Sequence, residues 1–119
     1  MEQNQTHQKK SGFPGIIISA LRGGSGKTIF SVGIIAALIQ SGKTVAPFKK
    51  GPDYIDAGWL ALAAGRQCYN LDTFLIQKET ILKSFACYTQ RSDLAVIEGN
   101  RGLYDSIDRE GNTSTCLLY

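Results

Sequence analysis

Lys27 and Thr28 close a glycine-rich run, Arg22-Gly23-Gly24-Ser25-Gly26-Lys27-Thr28, whose residue types can hold a chain of phosphates. A triphosphate needs several backbone N–H donors at close range, and glycine lets the main chain curl that tightly with no side chain in the way. Gly23, Gly24, Ser25 and Gly26 would supply the donors, Lys27 would reach the outer phosphates, and the Thr28 hydroxyl would face Mg2+. A helix beginning there adds the partial positive charge of its N-terminus. One position departs from the usual pattern, because Leu21 stands where a glycine is expected six residues before the lysine. The competing reading is a strand-to-helix turn with an incidental lysine.

A second group of chemical residues lies in Pro47-Phe48-Lys49-Lys50-Gly51-Pro52-Asp53-Tyr54-Ile55-Asp56. Asp53 and Asp56 could hold or orient Mg2+, a hard cation that takes oxygen ligands. Lys49 or Lys50 could neutralise charge on a phosphorylated intermediate. Asp56 could equally be a helix N-cap and Asp53 a turn residue after proline, and spacing alone leaves both readings open. A third group is Glu98-Gly99, where an apolar run ends in a carboxylate that could stand beside the loop as a metal-linked residue or simply meet water.

The elements that position these groups follow from hydrophobic pattern. Gly15 to Ala20 is a short apolar run rich in β-branched residues and predicts a strand buried on both faces, as parallel sheets require. Thr28 to Gln40 predicts a helix with Ile29, Val32, Ile35, Ala36 and Ile39 on its buried face, stopped at Ser41-Gly42. A strand over Thr44 to Phe48 completes a βαβ unit, for which a right-handed crossover is expected. Ala57 to Ala64 reads as a helix stopped by Gly65, Glu79 to Gln90 as another, and Leu94 to Ile97 as a third strand. The expected fold is α/β, a parallel sheet with flanking helices that brings all three groups to the carboxyl ends of its strands. Three strands are fewer than such domains normally have, so a truncated domain is expected.

The bulk numbers agree with one domain: 119 residues, 43% hydrophobic, 19% charged and a net charge of +3. The basic residues are scattered, which argues against a nucleic-acid partner. Cys68, Cys87 and Cys116 have no second cysteine or histidine at metal-ligand spacing and read as reduced, mostly buried thiols of a cytoplasmic protein. Residues 1–14 are polar and read as a disordered leader rather than a signal peptide. The longest apolar run, Val32 to Ile39, falls short of the roughly 20 residues that cross a membrane.

Taken together, the glycine loop, the block Phe48-Lys49-Lys50-Gly51-Pro52-Asp53-Tyr54-Ile55-Asp56-Ala57-Gly58-Trp59 and the run Leu94 to Ser106 resemble the cobyrinate a,c-diamide synthase family. That family is related to dethiobiotin synthetase and the partition ATPases, and the resemblance covers about residues 15 to 115. It implies a P-loop NTPase-like fold, with residues 15–119 as a partial ATP-binding synthetase domain and the glutamine amidotransferase domain absent. It also implies ATP-dependent amidation of the a- and c-side-chain carboxylates of cobyrinate or hydrogenobyrinate in cobalamin biosynthesis, through acyl phosphates. Gly24, Gly26, Lys27 and Thr28 match the nucleotide loop. Asp53 and Asp56 match the acidic pair after the second strand, and Glu98 matches the metal-linked glutamate. Asn70-Leu71-Asp72 and Tyr104-Asp105 match two further family elements.

The resulting expectation has Lys27, Lys49, Asp53 and Asp56 as catalytic residues and Thr28, Asp53 and Glu98 at the metal. ATP and Mg2+ are the cofactors, a corrin is the substrate, and ammonia comes from glutamine through a glutaminase domain. A homodimer is conceivable, and neither membrane nor nucleic acid is expected. The alternative is a partition-type ATPase switch, because Arg22-Gly23-Gly24 is similar to the lysine-glycine-glycine signature of those proteins.

Overall fold

In the computed structural model, residues 12–100 and residue 102 are described. Of the expected disordered leader 1–14, residues 1–11 lie outside the described residues, as do Tyr104, Asp105 and Cys116; Phe13 packs against Phe85, and the Pro14 carbonyl accepts from Ala95 N at 2.9 Å, so the ordered chain begins before residue 15. The elements run β1 (Gly15–Ile18), α1 (Lys27–Gln40), β2 (Val45–Lys50), α2 (Tyr54–Ala64), β3 (Tyr69–Leu71), α3 (Lys78–Tyr88) and β4 (Leu94–Glu98). The strands form one four-stranded parallel sheet in the order β1-β4-β2-β3. β4 therefore lies between the strand before the glycine loop and the strand before the acidic block.

Each helix boundary has a local cause. Gly26 in the left-handed conformation precedes α1, and Gly42 with φ 85° follows it. α2 begins earlier than Ala57 because the Asp53 side chain accepts hydrogen bonds from Ile55 N and Asp56 N, at 2.9 and 3.2 Å. Gly65, left-handed at φ 66°, ends it. Asp53 is thus the N-cap and Asp56 lies inside the first turn, the reverse of the capped-helix alternative.

Helices cover both faces of the sheet. On one face α1 and α2 pack through Ile35, Leu60 and Ala64 against Ile18, Val45 and Val96. On the other, α3 brings Ile81, Phe85 and Tyr88 against Ala46, Phe48, Leu71, Ala95 and Ile97. Burying side chains such as Ile35 and Phe48 fully contributes about 1.5–3 kcal/mol each.

Two expectations are corrected here. β3 was not anticipated, since three residues with one apolar partner are too few for a periodic signal. The buried stripe of α1 is also rotated: Ser31 and Ile35 are buried, with Ile34 and Leu38 packed beside them, while Ile29 is 82% exposed. Among the described residues, no helix is long and apolar enough to cross a membrane.

Candidate functional site

Strand alternation explains how the site assembles. Side chains two residues apart on a strand share a face, so Glu98 points the same way as Val96, and Lys49 the same way as Val45. Val45 and Val96 belong to the core under α1 and α2. Lys49 and Glu98 are directly opposed in the β2–β4 register, and Ile18 opposes Glu98 in the β1–β4 register. A lysine and a glutamate are therefore brought side by side at the carboxyl ends of the strands, beneath the start of α1. Lys50, one residue on, is turned by the same alternation to the other face.

The contacts bear this out. Glu98 Oε1 accepts hydrogen bonds from Thr28 Oγ1 at 2.8 Å and from Lys49 Nζ at 3.1 Å. Lys49 Nζ also donates to the Gly99 carbonyl at 3.0 Å and lies 3.6 Å from Asp56 Oδ2. Lys49 and Glu98 are 2% and 1% exposed, so the pair sits in a medium that weakens their attraction far less than water does. Glu98 Oε2 is buried with no hydrogen-bond partner. A buried, unpaired carboxylate oxygen is costly, and its position beside a threonine hydroxyl and a phosphate-type loop suits a hard cation. Thr28 and Glu98 are the residues that fit Mg2+. Among the described residues no cluster of three or more His, Cys, Asp or Glu forms a metal cage. That is the usual situation for Mg2+, which keeps waters and takes phosphate oxygens as ligands.

Around this group the loop closes a cavity of about 400 Å3 lined by Gly23, Gly24, Ser25, Gly26, Lys27, Thr28, Ile29, Lys49, Asp56, Glu98 and Asn100. Gly24 and Gly26 have φ of 69° and 85°, a conformation L side chains rarely adopt, and this is the physical demand behind the glycines. The N-terminus of α1 has no side-chain cap and no acidic residue in its first turn, so its amide groups are open to an anion. Leu21 causes no conflict. Among the described non-glycine residues only Arg91 has positive φ, so the position before the loop does not need glycine, and the Leu21 side chain is 82% exposed.

Of the anticipated residues, the loop, Lys27, Thr28, Lys49, Asp56 and Glu98 come together. Asp53 does not line the cavity; its Oδ1 is occupied in capping α2. Asn70 and Asp72, to which sequence assigned no role, now have local ones. Asn70 Nδ2 donates to the carbonyls of Gly51 and Asp53, at 2.7 and 2.9 Å, and so ties β3 to the turn that launches α2. Asp72 Oδ1 accepts from Phe74 N and Leu75 N, at 2.9 and 3.4 Å, and holds the turn after β3. No local signal marks this brace, because its partners are distant in sequence.

Cys68 lies near this cluster without joining it. Burial, with a smaller contribution from the Glu98 charge, pushes its thiol from 9.0 up to about 12, against an opposing effect from Lys49. It is a free, protonated thiol, whereas Cys87 is free and exposed, contrary to the expectation of mostly buried cysteines.

The geometry agrees with comparisons to known proteins. Residues 16–72 match the family model described as the CobQ/CobB/MinD/ParA nucleotide binding domain. The chain is 52% identical over 105 residues to a cobyrinate a,c-diamide synthase of Magnetococcus marinus, covering 88% of this chain and 22% of that protein. It is 44% identical over 98 residues to a cobyrinate a,c-diamide synthase of Dehalococcoides mccartyi, covering 82% and 21%. It is 50% identical over 90 residues to a hydrogenobyrinate a,c-diamide synthase of Mycobacterium tuberculosis, covering 76% and 20%. The chain thus spans about a fifth of the length of these curated relatives.

Proposed function

We propose that the chain, similar over most of its length to cobyrinate and hydrogenobyrinate a,c-diamide synthases, carries the ATP-handling part of an amidoligase acting on the a- and c-side-chain carboxylates of cobyrinate or hydrogenobyrinate. A carboxylate is a poor electrophile, and converting it to an acyl phosphate gives it a leaving group. The carboxylate oxygen attacks the γ-phosphorus of ATP, and the bond from that phosphorus to the bridging oxygen breaks, releasing ADP. Ammonia then attacks the acyl carbon, phosphate leaves with the electrons of the C–O bond, and the new amide nitrogen sheds a proton.

The observation that carries this reading is the buried Glu98 carboxylate held by Thr28 and Lys49 inside the glycine-loop cavity. The loop amides and Lys27 hold the phosphates, and Lys49 offsets charge that builds on the transferring phosphoryl group. Thr28 and Glu98 would hold Mg2+, which when bound supplies further positive charge at the phosphate oxygens. Asp56 keeps Lys49 in place at 3.6 Å, and Asp53, as cap of α2, sets where Asp56 stands. Ammonia is drawn from glutamine by a glutaminase. The protein works in the cytoplasm, as a monomer or homodimer, with neither membrane nor nucleic acid as partner.

A partition-type switch is the second reading, supported by the breadth of the matching family model and by exposed Arg22. The two separate in one assay: ATP turnover by the chain with cobyrinate and ammonia, against turnover with DNA. Stimulation by the corrin acid is expected, and stimulation by DNA alone would reverse the choice.

A further inference from the structure

Two residues are apolar and exposed where the pattern of their helices would have buried or neutral side chains, and both stand at the mouth of the phosphate cavity. Ile29, in the first turn of α1, is 82% exposed, and Trp59, on α2, is 57% exposed. With Val32, Thr28 and Asp56 they line a second depression of about 410 Å3. Thr28, Ile29 and Asp56 line both cavities, so the depression is a continuation of the phosphate site rather than a separate pocket. Asp56 and Trp59 are three residues apart on α2, so they share one side of that helix.

The other flank of the loop is different. There Ser25, Gly26, Lys27 and Phe30 form a depression of about 400 Å3 with residues 16–18 of β1 and Ser19-Ala20. Of the loop it takes Ser25, Gly26 and Lys27, whereas the Trp59 side takes none of these three. Phosphoryl transfer places attacking and leaving oxygens on opposite sides of the phosphorus. A nucleotide that leaves along the loop and β1 therefore requires its acceptor to enter from the α2 side. That side holds the Lys49–Asp56–Glu98 cluster at the junction and an indole beyond it.

We propose that Ile29, Val32 and Trp59 form the wall against which the macrocycle of the corrin substrate rests while one peripheral carboxylate reaches Lys49. This rests on the amidoligase reading and adds the subsite that orients its acid substrate. An indole presents a large rigid face and suits a flat conjugated ring, whereas a wall of this kind gives a DNA backbone nothing to bind.

Trp59 is the only tryptophan in the chain, so its emission reports on this wall directly. The test is equilibrium dialysis of cobyrinate and of hydrogenobyrinate with the chain and a non-hydrolysable ATP analogue, read beside Trp59 fluorescence. Binding of the corrin should quench the emission. Trp59→Ala should weaken corrin affinity about tenfold or more, with Trp59→Phe retaining most of it, and should shift nucleotide affinity less than twofold. Unchanged circular dichroism is the control that the half-exposed side chain leaves the fold intact. Equal corrin affinity in Trp59→Ala and the unaltered chain would overturn the wall and leave the amidoligase reading standing. Quenching by the nucleotide alone, with Trp59→Ala weakening the nucleotide instead of the corrin, would assign the wall to the nucleotide and also overturn the proposal. Failure of the unaltered chain to bind either corrin would overturn both readings.

Discussion

Replacing Lys49 by methionine should destabilise the protein more than replacing Glu98 by glutamine, and the double variant should lose less than the two single losses added together. Both side chains are almost wholly buried and lie 3.1 Å apart. Removing one member of such a pair leaves an uncompensated buried charge, at a cost of about 3–5 kcal/mol. The structure orders the two losses. In Glu98→Gln the Lys49 ammonium keeps the Gly99 carbonyl and Asp56, which places the loss at the low end of that range. In Lys49→Met the Glu98 carboxylate keeps only the Thr28 hydroxyl while its other oxygen stays unpartnered, which places the loss at the high end. In the double variant neither charge remains, and the coupling between the two changes should reach about 2–3 kcal/mol. Urea unfolding followed by circular dichroism reads all four proteins. With a slope of about 2 kcal/mol per molar, Lys49→Met should lower the midpoint by about 2.5 M. Single losses below about 0.5 kcal/mol that simply add in the double variant, as solvent-exposed pairs do, would refute the buried pair.

Asn70→Ala should cost about 1–3 kcal/mol because two carbonyls lose a shared donor. Asn70→Asp should be no better, since a carboxylate cannot donate, and both variants should weaken ATP binding in calorimetry through the displaced start of α2. Of the two described cysteines, exposed Cys87 should react readily with a thiol reagent at pH 8, and Cys68 should resist until the protein unfolds. Because the Cys68 thiol is raised from 9.0 to about 12, the folded state retains a proton that the unfolded chain loses above pH 9. Its contribution to stability is complete below pH 9 and declines as pH rises toward 12; Cys68→Ala should flatten that part of the stability–pH curve.

Sequence and structure agree where a physical demand is local. The left-handed turns at Gly24 and Gly26, the stop at Gly42 and the unbroken apolar run of β4 each depend on neighbours a few residues away. The convergence of Lys27, Lys49, Asp56 and Glu98 followed from the rule that parallel strands deliver ligand residues to one edge. What escaped depended on distant partners. β3 exists because Phe48, Lys49 and Lys50 offer it a parallel neighbour, not because Tyr69-Asn70-Leu71 has strong strand character. Asn70 finds its carbonyls across 17 and 19 residues of chain. Ile29 fits a helical stripe by spacing, yet it lies in the first turn of α1, where the helix faces the cavity mouth rather than the sheet. Asp53 was grouped with Asp56 by type and proximity, but capping a helix is a competing use for a carboxylate, and here the cap prevailed.

We infer that the glycine loop and the buried Thr28–Glu98–Lys49 chain form a single metal-nucleotide site. Electron paramagnetic resonance of Mn2+ titrated into the chain with ATP tests it most directly, because it counts the metal bound apart from the nucleotide. A ternary complex is predicted in which Thr28→Val and Glu98→Gln each loosen Mn2+ about tenfold or more while ATP without metal binds as before. Mn2+-ATP bound equally well by both variants and the unaltered chain would contradict it.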